Sequence, residues 1–341
     1  MIIENYNSAL NDLLSGYEQV CYIVDRKVYD LYALSFEKCH LVDCSEADKS
    51  LETVMGMWDF FLSQGMTRRG VVVCIGGGVL TDMAGFASAT YKRGMSYINI
   101  PTTLLAMIDA SLGGKTGVNY HGLKNAIGVF ADPVETLIWP GWLRSLPTEQ
   151  VLSGFAEMLK TALIAPSTND LWHRMLQYDL ERMDIDELTP LIKECVAVKK
   201  RIVASDPKEE GFRKVLNFGH TFGHAFEEIQ LADGKASDSK WLHGYAVLYG
   251  MIAELYLSVV QLDCPKEPLQ HLTQLMLQAY GKPNCKCSDR ERLIALMQQD
   301  KKNERAAQIN CTLIRSVGSP LINQIITPDD ANEALDYLFS L

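Results

Sequence analysis

Val71-Val72-Val73-Cys74-Ile75-Gly76-Gly77-Gly78-Val79-Leu80-Thr81-Asp82 decides the fold. Its first five residues are apolar and mostly β-branched, the pattern of a strand covered on both faces in a parallel sheet. Three glycines follow, and residues 79–91 then read as a helix. Glycine lets the backbone turn tightly and come close to a ligand. A helix that starts there points free amides and the positive end of its dipole at any anion, a pyrophosphate included. The run is not Gly-x-Gly-x-x-Gly, so the usual dinucleotide fingerprint is not specified, and a plain tight strand–helix turn fits the same residues.

Outward from that turn, short β-branched runs at 20–25, 39–43, 97–100 and 134–138 read as further strands, and residues 46–64 as a helix. Strands alternating with helices are the rhythm of a parallel sheet. After Pro140 the character changes. Leu146-Pro147-Thr148-Glu149 reads as a helix start, and helical periodicity dominates from there to the C-terminus. The sequence therefore predicts an N-terminal Rossmann-like α/β domain over 1–146 and a mostly α-helical domain over 147–341. The default place for an active site is the cleft between them. The apolar tract 245–262 contains Glu254 and reads as a buried core helix rather than a membrane span. Residues 232–240 are polar and read as a loop.

The bulk properties narrow the partners. With 48% hydrophobic and 22% charged residues the chain is an ordinary globular one. A net charge of −10 argues against nucleic acid and anionic membrane as partners. An acidic chain that binds an anion must gather its cations locally. Arg93, Lys115, Lys124, Lys160, Lys199 and Arg213 all fall in or beside Gly-, Asn- or His-rich motifs. Nine cysteines without a Cys-x-x-Cys pair, and an opening Met1-Ile2-Ile3-Glu4-Asn5 unlike a signal peptide, predict a cytoplasmic protein with free thiols.

The second informative stretch is Asn217-Phe218-Gly219-His220-Thr221-Phe222-Gly223-His224-Ala225-Phe226-Glu227. Histidines four apart share a helix face. His243 follows, and Ala156-Glu157-Met158-Leu159-Lys160 supplies a carboxylate upstream. Three N/O ligands with an open position are the layout of a catalytic zinc site. A bare His-x-x-x-His also fits two satisfied helix histidines with no metal. Thr221 stands where the His-Glu-x-x-His metalloprotease motif carries glutamate, which argues against peptide hydrolysis. The spacing 213-217-220-224 predicts Arg213, Asn217, His220 and His224 along one helix stripe, a row with no core-packing reason. Pro101-Thr102-Thr103 offers two hydroxyls at a helix start, where capping is the simpler reading. Asp109-Ala110-Ser111-Leu112-Gly113-Gly114-Lys115 pairs glycines with a lysine, without Walker spacing, and Lys124-Asn125 sits in a glycine-flanked loop.

In this order the motifs closely resemble the 3-dehydroquinate synthase family over nearly the whole chain. The resemblance runs from Asp25 and Ser45-Glu46-Ala47-Asp48-Lys49 through Gly76-Gly77-Gly78-Val79, Arg93-Gly94 and Pro101-Thr102-Thr103-Leu104-Leu105-Ala106. It continues through Gly113-Gly114-Lys115, Lys124-Asn125, Ala156-Glu157-x-x-Lys160, the 217–224 stretch and His243-Gly244 to Asp300-Lys301-Lys302. Two positions depart from the family pattern: Tyr245 replaces an acidic residue, and Asp206-Pro207 replaces an Asp-Glu pair.

The resemblance implies NAD, a divalent metal (normally zinc, with cobalt as a substitute) and the substrate 3-deoxy-D-arabino-heptulosonate 7-phosphate. The product would be 3-dehydroquinate, reached by transient oxidation, phosphate elimination, re-reduction and aldol closure. It implies Glu157, His220 and His243 as metal ligands. Lys115, Asn125, Lys160, Arg213, Asn217 and Lys301 (or Lys302) would hold substrate, with Arg93 and Lys199 near the phosphate. His224 and Glu209 would transfer protons. Asp25, Glu46, Lys49, Gly77, Gly78, Val79, Asp82, Thr102, Thr103, Asp109, Lys115 and Lys124 would line the NAD site, completed by Trp142, Leu143, Arg144 and Ser145. A homodimer is implied as well. Other readings are a related sugar-phosphate cyclase, a metal-dependent NAD alcohol dehydrogenase, or a lapsed homologue serving as a scaffold.

Overall fold

The computed structural model describes residues 1–3, 6–166, 170–232, 242–283, 285, 289–299 and 308–341. Residues 233–240 of the expected polar loop, and Lys301 with Lys302, lie outside the described residues. The chain divides into two compact units, Met1–Leu146 and Pro147–Leu341.

In the first unit, α1 (Tyr6–Leu14) precedes β1 (Val20–Asp25), α2 (Arg26–Leu31), β2 (Cys39–Val42), α3 (Leu51–Ser63), β3 (Val71–Gly76), α4 (Gly78–Thr90) and β4 (Ser96–Pro101). Then come β5 (Lys115–Tyr120), β6 (Leu123–Phe130) and β7 (Glu135–Thr136). The main sheet has the order β2-β1-β3-β4-β7, and every pair in it is parallel. Each residue of β3 is buried, which is why that strand reads as an unbroken apolar run. Burying side chains such as Val73 and Ile75, both fully inaccessible, contributes roughly 1.5–3 kcal/mol each. Strand order reverses between β1 and β3. In open α/β sheets the ligand crevice lies outside the carboxyl ends of the strands at that switch point.

Two readings need correction here. Residues 46–64 are not one helix: a 3-10 turn, Glu46–Asp48, ends before α3 begins. Ser50 makes the break, its backbone extended and its side chain accepting from the Thr53 amide at 3.2 Å. The glycine- and lysine-rich stretch after Asp109 is also more than a ligand loop. Lys115–Tyr120 and Leu123–Phe130 pair as an antiparallel hairpin.

The second unit holds α5 (Thr148–Ile164), α6 (Leu171–Gln177), α7 (Ile185–Ser205), α8 (His220–Ala232), α9 (His243–Leu262), α10 (Glu267–Leu275) and α11 (Arg290–Gln299). A hairpin of β8 (Ile309–Ile314) and β9 (Pro320–Ile326) follows, then α12 (Pro328–Ser340). One hairpin interrupts the helical periodicity that dominates to the C-terminus. β8 is buried at all six positions, and a short, continuous apolar run does not distinguish strand from buried helix by periodicity. α9 is the core helix: it is long and apolar enough to cross a membrane, yet 72% of its 18-residue window is buried within the protein. The Ser258 hydroxyl accepts from Ile314 N at 3.0 Å, tying the hairpin to α9.

Candidate active site

Three helices bring Glu157, His220 and His243 together. One ligand atom from each lies within 4.8 Å of the others. Backbone proximity makes this possible. A Cβ on Gly244, the second residue of α9, would sit 1.9 Å from the Ser153 carbonyl oxygen on α5. The Gly244 amide instead donates to Ser153 Oγ at 3.0 Å. His243 is thereby set against the helix that carries Glu157. On the other side, a Cβ on Gly250 would meet the Gly219 carbonyl oxygen at 2.0 Å, so α9 also packs tightly on the turn that leads into α8.

That turn breaks the expected stripe. Phe212–Asn217 form a 3-10 helix, Phe218 is extended, and Gly219 takes φ +80° before α8 starts at His220. Arg213 and Asn217 therefore belong to a different element from His220 and His224. Glycine is the residue that accepts a left-handed turn without steric cost. His224 keeps its place one turn along α8, its ring 5.3 Å from that of His220 and perpendicular to it.

The donor set fits a divalent metal. His220 Nε2 lies 3.7 Å and His243 Nε2 3.5 Å from Glu157 Oε1. Ligands about 2.1 Å from a tetrahedral zinc stand roughly 3.4 Å from one another. Both rings are anchored from behind: His220 Nδ1 pairs with the Phe218 carbonyl at 3.1 Å, and His243 Nδ1 with Glu227 Oε1 at 3.2 Å. Such partners fix ring orientation and turn the other nitrogen toward the metal. Glu157 is fully buried and ion-pairs with Lys160 one turn on. Burial disfavours a charged His243, but the carboxylates of Glu227 and Glu157 outweigh it and push the imidazole pKa up to about 10. The field is one that favours a cation.

Around the 3-10 turn, Asp206 accepts from the backbone amides of Glu210, Gly211 and Arg213 at 3.1, 2.8 and 3.0 Å. Arg213 is 2% exposed and donates through Nη1 to the Pro207 carbonyl at 2.7 Å. The departure at Pro207 thus leaves a backbone oxygen in contact with the guanidinium. Asn217 Nδ2 donates to Glu209 Oε1 at 3.1 Å, and Glu209 itself holds φ +61°. Lys199, on α7, is buried. Tyr245 is buried against Tyr280, ring centroids 4.9 Å apart.

In the sheet unit, Asp25 and Gly76 end β1 and β3 at the switch point. Asp25 caps α2 by accepting from Lys27 N at 2.9 Å, and burial raises its carboxyl pKa against that bond. Gly77 caps α4, with Gly78, Val79 and Asp82 in its first turns. Thr102 N donates to Gly76 O at 3.0 Å, and Thr103 Oγ1 accepts from Ala106 N at 3.2 Å, which is the capping role. Asp109 lies in the π-helical turn Ala106–Ala110 that follows. Lys49 Nζ reaches both Asp82 Oδ2 and Asn125 Oδ1 at 2.6 Å. Asn125 holds φ +50°, its amide donating to Asn119 Oδ1 at 2.8 Å, while Asn119 Nδ2 donates to Glu46 Oε1 at 2.8 Å. Lys115 opens β5 and Lys124 lies in β6. Trp142, Leu143, Arg144 and Ser145 form a 3-10 turn, where the Tyr32 hydroxyl at the end of α2 meets Ser145 Oγ at 2.7 Å. Arg93 stands apart: it follows α4 and precedes β4, at the amino edge of the sheet, opposite Gly77.

Sequence reasoning missed Glu227, Ser153, Asn119 and Glu254, all supports rather than motif residues. Glu254 alone carried a signal, a carboxylate inside an apolar tract.

A parallel sheet with a glycine turn at its switch point, and a helical unit with a two-histidine, one-carboxylate cluster, define a metal-dependent class of enzyme on a nucleotide-binding fold. Comparison with known proteins gives the family. Models of the 3-dehydroquinate synthase N-terminal and C-terminal regions match residues 39–153 and 154–303. A 3-dehydroquinate synthase of Parabacteroides distasonis is 39% identical over 99% of this chain and 96% of its own. Among solved structures, 2-epi-5-epi-valiolone synthase of Streptomyces hygroscopicus, with NAD+ and Zn2+ bound, superposes with TM-score 0.86 at 28% identity, covering 100% of this chain and 96% of its own. A 2-deoxy-scyllo-inosose synthase, complexed with carbaglucose-6-phosphate, NAD+ and Co2+, shares the fold with TM-score 0.85 at 22% identity, covering 98% of this chain and 95% of its own. The chain belongs to the 3-dehydroquinate synthase family.

Proposed function

We propose that the chain converts 3-deoxy-D-arabino-heptulosonate 7-phosphate to 3-dehydroquinate and phosphate, using NAD+ and a divalent metal, zinc in the first instance. The observation that supports this most is the Glu157–His220–His243 cluster in a member of this family. When bound, the metal acidifies a coordinated alcohol and NAD+ takes up and returns a hydride. Glu157, His220 and His243 hold the metal. Lys160, paired to Glu157, supplies positive charge beside it. Arg213 offers a planar fork to a carboxylate or phosphate, and Asn217 orients the substrate with its partner Glu209. His224, one turn from His220, holds or moves a proton. Lys115, Asn125 and Lys199 add anion contacts, and Lys301 is assigned with them by family likeness. Asp25, Glu46, Lys49, Asp82 and the Gly77 turn bind NAD+ at the carboxyl edge of the sheet. Arg93, at the amino edge of the sheet, is assigned near the phosphate by family likeness alone. Family likeness further implies a cytoplasmic homodimer.

One assay tests the reading. Protein, zinc, NAD+ and the heptulosonate phosphate are mixed, and phosphate and NADH are followed together. Phosphate without net NADH is expected. NADH rising in step with phosphate would mean a dehydrogenase, and an inert heptulosonate phosphate a cyclase for another sugar phosphate.

A further inference from the structure

Glu254 lies on α9 about three turns beyond His243 and is wholly inaccessible to solvent. A carboxylate so placed is costly unless it is paired and hydrogen-bonded. Its two oxygens accept from the amides of the residues on either side of His220. Gly219 N donates to Oε2 at 2.6 Å, and Thr221 N donates to Oε1 at 3.3 Å. Amides at the start of a helix lack partners within it, and the dipole favours negative charge there. A short side chain from outside α8 would have satisfied that need. Here the satisfying group instead comes from the helix that begins with another member of the cluster, His243.

The turn can be reached because Gly250 lets α9 approach it within backbone contact. His220 is then held at three points: the amide before it, the amide after it, and its own Nδ1 against the Phe218 carbonyl at 3.1 Å. The remaining ring nitrogen faces Glu157. We propose that Glu254 is a positioning residue for the metal centre: by holding the Gly219 and Thr221 amides it presents His220 Nε2 to the ion. The inference rests on the metal reading given under Proposed function, and it concerns metal affinity rather than bond-making.

The test compares the full-length parent with Glu254→Gln and Glu254→Asp. Glutamine has the same shape but turns an amide NH2 toward one of the two backbone donors. Aspartate keeps both acceptors on a shorter arm. Zinc dissociation constants are measured against a chromophoric chelator, NAD+ affinity by calorimetry, and Tm on the metal-free proteins. Glu254→Gln should weaken zinc by about 10–100-fold, the range for lost supporting partners at metal sites. Glu254→Asp should weaken it less, and NAD+ affinity should hold in both. A zinc constant within twofold of the parent's, alongside a lowered metal-free Tm, would make Glu254 a helix cap only and overturn the inference. If the glutamine variant does not fold, the aspartate variant decides by the same criterion. A parent that binds zinc no better than His220→Ala would instead overturn the metal reading itself.

Discussion

Glu157, Lys160 and His220 in the helical unit are 0%, 1% and 8% exposed. In the sheet unit Lys115 and Asn125 are exposed and Glu46 half-buried. The two regions achieve order differently. The helical cluster is set from inside, by backbones in contact at Gly244 and Gly250 and by buried carboxylates behind the ligands. The sheet edge is set by topology, which brings Asp25 and Gly76 to one switch point, and by turns closed through Asn119 and Lys49. A centre built on interhelical contact should respond steeply to loss of one group, whereas an edge whose contacts are spread over several separate turns should respond weakly.

The steepest response is expected at His243. Removing one of three ligands leaves zinc too few anchors, so His243→Ala should fold, hold sub-stoichiometric zinc and lose turnover by at least about three orders of magnitude. Full zinc occupancy in elemental analysis would exclude His243 as a ligand. Arg213→Lys comes next. Loss of the planar fork should remove about 2–3 kcal/mol of transition-state stabilisation, or roughly 30–150-fold in kcat/KM. Zinc content and NAD+ affinity should stay near the parent's. Unchanged kcat/KM with weakened NAD+ binding would move Arg213 to the cofactor.

Glu227→Gln sharpens the comparison through pH. With a pKa raised to about 10, His243 in the metal-free protein carries a proton at pH 8. A group raised in this way stabilises the fold below its unfolded value of 6.5 and loses that contribution as pH climbs through 10. Zinc must displace the proton, so binding at pH 8 should release it. Calorimetry in buffers of different ionisation enthalpy should record this release in the parent and less of it in Glu227→Gln. Zinc affinity in the variant should fall by about 10–100-fold. Equal release in both proteins would remove Glu227 from the account. The smallest effect belongs to the sheet edge. Thr103→Ala loses the cap on Ala106 N and should cost about 1 kcal/mol of stability, read from the urea midpoint, with zinc affinity unmoved. A larger loss in zinc binding than in stability would blur the distinction between the two regions.

What could be read from the chain follows the same division. β1, β3 and β4 were legible within a residue or so because buried parallel strands are continuous apolar runs. The clustering of Glu157, His220 and His243 was legible because the three lie in residue patterns shared with a family. The hairpin at Lys115–Phe130 was obscured, since glycines and lysines that suit an anion loop also suit a tight, exposed ribbon. The stripe from Arg213 to His224 failed at Gly219, whose left-handed φ no spacing rule contains. Glu227 was out of reach because His243 lies on the next helix, and Asn119 because its side chain joins a turn neighbour, Asn125, to Glu46 on a separate element. Glu254 was the exception: its cost in an apolar helix announced a partner without naming it.

The contact at Gly244 has a directional consequence. The separation of α5 and α9 there is already the least that two backbones permit, because the place of a side chain is taken by the Ser153 carbonyl. Substitution at 244 can spread the two helices but cannot draw them together. The gap between Glu157 and His243 therefore sits at a mechanical stop, with freedom on one side alone. Substitution at this position can lead only toward a looser fit and never toward a tighter one.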